Sequence, residues 1–94
     1  MEGTPEDRLQ QIRALLADPF LGCPDLDERE RRAAILASRG VRVDDIAVMN
    51  HLSLSTAYRT LDAVAEKLTA QEGRTITRDD LVEYALRRIK EAVG

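Results

Sequence analysis

The sequence predicts an all-α fold, a single small domain of about five helices. Ninety-four residues allow one modest hydrophobic core and leave no room for a second domain or a deep substrate cleft. The chain is 44% apolar but only 3% aromatic, so its core must be assembled from Leu, Ile, Val and Ala, which suits packed helices better than strands. Apolar residues also recur at helical spacing, and the runs are preceded by capping signals.

The first helix is expected over residues 5–17, with Thr4 as N-cap, Pro5 at the first helical position, and Glu6 and Asp7 favouring the positive end of the helix dipole. Leu9, Ile12, Leu15 and Leu16 form its apolar face. Asp18 to Pro24 carries two prolines and a glycine and reads as a connector that tucks Phe20 and Leu21 onto the core. It divides the chain into an N-terminal helix with its connector, residues 1–24, and the remainder, residues 25–94. Asp27 and Glu30 have the form of a capping box opening a second helix over 27–38, and Gly40 stops it. A short third helix over 44–50 starts with Asp44 and Asp45. Ser53 or Ser55 then caps a fourth over 54–70, in which Ala57, Leu61, Val64 and Leu68 share the buried face. After a polar loop, Thr77 and Asp80 form another cap. The last helix, over 78–92, has an apolar face of Leu81, Val82, Ala85, Leu86, Ile89 and Val93, wide enough to serve both the core and a partner subunit.

Composition excludes several classes of function. The lone Cys23 and lone His51 supply neither an internal disulfide nor a metal cluster, so no metal and no cofactor are expected. Cys23 has no basic neighbour in the sequence to lower its pKa and reads as a small buried residue. No phosphate-cradling glycine loop is present, and the carboxylates sit mainly at helix starts, which argues against an enzyme. No membrane span or signal peptide is visible, so the chain is expected in the cytoplasm. The formal net charge of -3 argues against indiscriminate coating of nucleic acid, so any DNA binding must be local and oriented.

One stretch carries that possibility. Asp45 to Leu61 is a short helix, a tight turn and a second helix that opens with small hydroxylated residues. This is the helix-turn-helix arrangement, whose second helix lies in the DNA major groove. Ser53, Ser55 and Thr56 can reach phosphates together with backbone N–H groups at the helix start.

The segment Leu26-Asp27-Glu28-Arg29-Glu30-Arg31, followed in register by Leu36, Gly40, Val41, Ile46-Ala47, Leu52 to Thr56, Leu61, Val64 and Lys67-Leu68, resembles the LuxR/GerE-type helix-turn-helix, itself similar to region 4 of sigma factors. Beyond a longer loop, Arg78 to Arg88 is similar to that family's dimer-forming helix. The resemblance implies a transcription regulator that binds double-stranded DNA as a homodimer. Tyr58, Arg59, Thr60 and Asp62 would face base edges and Lys67 a phosphate, while Leu81, Val82, Ala85, Leu86 and Ile89 form the dimer surface. Asn50 and His51 stand where the family has an apolar residue and a glycine, which implies a wider or differently bonded turn.

Between Ser53 and Leu68, Arg59 and Lys67 balance Asp62 and Glu66, so the recognition helix has no net charge and weak non-specific binding is expected. Arg29, Arg31, Arg32, Arg39 and Arg42 either flank the groove or pair with nearby acids. Two rival readings follow. The acidic balance suits a degenerate helix-turn-helix that docks on RNA polymerase or another protein. Leu52-Ser53-Leu54 could alternatively alternate as the strand of a ribbon-helix-helix protein.

Overall fold

A computed structural model describes residues 4–23 and 25–94; Met1 to Gly3, and Pro24 of the connector, lie outside the described residues. Five α-helices run in order: α1 (Pro5–Ala17), α2 (Glu28–Ser38), α3 (Val43–Met49), α4 (Leu54–Glu72) and α5 (Leu81–Val93), with one 3-10 turn (Arg78–Asp80) leading into α5. No strand is present among the described residues, which removes the ribbon-helix-helix reading; Leu52 to Leu54 form the turn and the start of α4.

The caps lie where local chemistry requires them. Thr4 and Asp7 form a reciprocal capping box at α1, and Asp27 and Glu30 form another at α2, with the Glu30 N–H 2.8 Å from Asp27 Oδ1 and the Asp27 N–H 2.9 Å from Glu30 Oε1. Ser53 caps α4 by accepting the Thr56 N–H at 3.2 Å. Helix α4 extends to Glu72 rather than ending at residue 70, because the residue that can turn left-handed to close it is Gly73, at φ 72°. The last helix starts as a 3-10 turn because the Asp80 carboxylate accepts both the N–H and the hydroxyl of Thr77, at 2.9 and 3.0 Å, and tightens that turn.

Helix α4 is the hub. It packs against both α2 and α3, α5 packs on α2, and α1 lies on α5. Ile46, Leu61, Val64, Leu68 and Leu81 are fully buried between these helices. At the centre Phe20 stacks on Tyr84, with ring centroids 5.6 Å apart and planes within 7° of parallel. Burial pushes the Tyr84 phenol up to about 12.

The connector is fastened by arginines distant in sequence. Arg31 donates to Asp18 Oδ2 at 2.8 Å and to the carbonyls of Phe20 and Cys23, both at 3.1 Å. Arg88 donates to the Leu21 carbonyl at 2.7 Å. Phe20 is therefore buried as expected, whereas Leu21, expected on the core, is exposed, because its backbone and not its side chain is held. Cys23 is buried, as expected, but does have a basic neighbour: Arg88 Nη1 lies 3.8 Å from its sulfur and Tyr84 Oη 3.7 Å away.

Candidate nucleic-acid interface

The α3–α4 junction is built by a turn that closes as a Schellman motif. The Leu52 N–H bonds the Ala47 carbonyl at 2.8 Å and the His51 N–H bonds the Val48 carbonyl at 3.2 Å. The same pattern ends α2, where Val41 reaches Leu36 at 3.1 Å and Gly40 reaches Ala37 at 3.0 Å. Gly40 adopts φ 82° and His51 φ 56°, so His51 holds the left-handed position that usually falls to glycine. The turn is accordingly neither wider nor bonded differently, contrary to expectation. Ala47 is buried, as a close crossing of α3 on α4 requires.

From this turn α4 runs with one face buried against α2 and α3 and the other open to solvent. Ser55, Arg59, Asp62 and Glu66 are exposed and recur at helical spacing, forming a ridge opposite the buried face of Ala57, Leu61, Val64 and Leu68. Tyr58 lies half-buried on one flank of the ridge and Thr56 on the other. Alpha-helices α1, α2 and α3 carry acidic residues in their first turns, but α4 has none, so its positive end is not compensated by its own side chains. The hydroxyls of Ser53, Ser55 and Thr56 cluster there, with Ser53 Oγ 2.8 Å from Thr56 Oγ1 and 3.4 Å from Ser55 Oγ.

Not every residue expected at the interface lies on it. Thr60 is buried, and its hydroxyl bonds back to the Thr56 carbonyl at 2.8 Å, so it faces the α2 side instead of solvent. Lys67 turns to α2 as well: its Nζ lies 2.7 Å from Glu30 Oε1 and 2.8 Å from the Asp25 carbonyl. The hydrogen bond to Glu30 raises its pKa, despite the opposing desolvation, and fixes it as a cation within the fold. The charge balance of the exposed ridge is therefore set by Arg59 against Asp62 and Glu66, without Lys67.

Of the flanking arginines, Arg31, Arg32 and Arg42 are paired with Asp18, Glu28 and Asp44, and Arg39 donates to the end of α1 at the Leu16 and Ala17 carbonyls. Arg29 and Arg59 have no ion-pair partner among the described residues, and both line the groove between α2 and α4 with Thr56 and Ala63. The residue missed at the sequence level is Arg78. It reaches from the 3-10 turn to Asp62, 2.8 Å from Nη1 to Oδ1, and its guanidinium carbon sits 4.5 Å from the Tyr58 ring centroid. Sixteen residues separate it from Asp62, so no local periodicity signals the contact.

The residues expected to pair subunits divide between two faces of α5. Leu81 and Ala85 are buried in the core of the chain itself and are unavailable to a partner. Val82 and Leu86 are exposed, Leu86 at 61%, and Ile89 is half-buried; with Val93 they form a separate stripe about 100° around the helix.

A short helix, a tight turn and a second helix that keeps one face exposed define a helix-turn-helix protein. Residues 25–73 match the homeodomain-like domain family, 49 of the 94 residues, and the chain belongs to that family of helix-turn-helix domains. Comparison with curated proteins and with solved structures gives no match. No helix among the described residues is long and apolar enough to cross a membrane.

Proposed function

We propose that this chain is a cytoplasmic DNA-binding transcription regulator, not an enzyme, which inserts α4 into the major groove of duplex DNA as a homodimer. The observation that carries the reading is the α4 ridge on a homeodomain-like helix-turn-helix, with Arg59 and Arg29 unpaired beside it. Ser53, Ser55 and Thr56 seat the uncompensated helix end on a phosphate. Tyr58, Arg59 and Asp62 face base edges, where an arginine reads guanine and a carboxylate accepts from the cytosine amino group. Within the helix-turn-helix class, the order and spacing of residues 26–92 favour a LuxR/GerE-like regulator, with residues 25–94 as the binding unit and residues 1–24 as its appendage.

Dimerisation runs through Val82, Leu86, Ile89 and Val93. Antiparallel pairing of two copies of α5 brings Glu83 of each beside Lys90 of the other, so the charges along the stripe are self-complementary. Two recognition helices then sit about 34 Å apart, one DNA turn, and their joint binding offsets the weak charge of each ridge.

Selection from a random duplex library at low and moderate salt, with light scattering, tests both parts. A two-fold symmetric motif bound by a dimer is the expected result. Arg59→Ala then weakens binding by about 1–3 kcal/mol and relaxes one position, and Leu86→Glu gives a monomer. Arg59→Ala binding as tightly as wild type removes Arg59 from the site.

A second reading, docking on RNA polymerase or another protein, is favoured by a specific patch. Val48, at 75% exposure, Met49 and Leu54 are exposed around the turn, close in sequence to the acidic Asp44 and Asp45. No enrichment of any duplex, even at low salt, would favour it.

A further inference from the structure

Asp62 stands in the middle of the α4 ridge, between Arg59 and Glu66. Left alone, that ridge offers phosphate two carboxylates and one guanidinium, a combination that repels DNA. Lys67 cannot correct the balance, since Glu30 and the Asp25 carbonyl hold its ammonium on the α2 side. The cation that does reach the ridge is Arg78, delivered by the loop between α4 and α5.

The geometry gives Arg78 two simultaneous contacts. One N–H donates to Asp62 Oδ1 at 2.8 Å, and the guanidinium covers the Tyr58 ring at 4.5 Å. The ring contact and the ion pair together restrict where the planar guanidinium can sit. Tyr58 and Asp62 are one helical turn apart, so a single planar cation spans both.

We propose that Arg78 is a positioning residue of the DNA-reading surface: it cancels the Asp62 charge and orients Tyr58, so that the two side chains meet the major groove as one neutral unit. This rests on the DNA-binding reading of α4. The loop that looks like a simple connector thereby becomes part of the recognition surface, and Asp62 becomes tolerable to phosphates. Arg78 acts through Asp62, not by neutralising a phosphate of its own.

The test is equilibrium binding of the full chain to the duplex that wild type selects, measured against salt for wild type, Arg78→Ala, Asp62→Asn and the double variant. Arg78→Ala is expected to weaken binding about tenfold. Adding Asp62→Asn, which restores the net charge and keeps an oxygen acceptor toward the bases, should recover most of that loss, and the double variant should regain nearly the wild-type slope of log affinity against log salt. A merely structural role for Arg78 predicts no recovery in the double variant. A direct phosphate contact predicts a slope shallower by about 0.9 and again no recovery. Either result overturns the proposal, as does an Arg78→Ala variant that binds like wild type. If wild type itself binds no duplex, the DNA-binding reading fails and this role falls with it, whereas binding by wild type with no Arg78 effect removes this role alone.

Discussion

Helix α4 is fastened on both flanks by ion pairs of nearly equal length, Lys67 to Glu30 at 2.7 Å and Asp62 to Arg78 at 2.8 Å, and their surroundings differ sharply. On the α2 flank the acceptor is only 10% exposed and is already the N3 residue of a capping box, so one carboxylate joins the start of α2 to the C-terminal half of α4. On the loop flank both partners are substantially open to water, and the guanidinium lies over a tyrosine facing the proposed DNA surface. Equal distance therefore does not mean equal consequence. The inner pair carries architecture, and the outer pair sets the charge of the ridge.

Breaking the inner flank should have the largest effect on stability. Glu30→Ala removes an arm of the α2 capping box and leaves the Lys67 ammonium without its carboxylate, which costs about 2 kcal/mol by urea unfolding. The two Schellman turns around α3 give the next largest effect and sharpen the same distinction between architecture and interface. A Cβ at residue 40 would meet nothing within 4 Å, so Gly40→Ala costs about 1 kcal/mol through its left-handed φ alone. His51→Gly relieves the same strain one turn later and should raise stability by up to about 1 kcal/mol in thermal unfolding. The smallest effect belongs to the outer flank. Arg78→Ala should lower stability by less than about 1 kcal/mol, as exposed pairs do. A loss as large as that of Glu30→Ala would erase the difference between the flanks.

Most of the architecture was legible in the sequence, because helix starts depend on local chemistry. Thr4, Asp27, Ser53 and Thr77 each announce a cap within three residues, and the buried face of α4 follows from its own spacing. Legibility failed where a residue's role depends on a distant partner. Lys67 looks like a phosphate contact until Glu30 arrives from 37 residues away, and nothing near Arg78 points to Asp62. Thr60 was misplaced for a different reason: residues 59 and 60 lie about 100° apart on α4, and that single step separates the exposed ridge from the interface with α2. The same step divides Leu81 and Ala85 from Val82 and Leu86 on α5. His51 broke the expected glycine pattern without altering the turn, because the left-handed conformation is costly for histidine but not closed to it.

The most direct test of the central claim, that the exposed ridge of α4 reads duplex DNA, is an amide NMR titration of the chain with the duplex it selects. The account predicts shifts concentrated at Ser53 to Asp62, with Arg29 and Arg78 moving in step. Shifts confined to α1 and α5, or none at low salt, would contradict it.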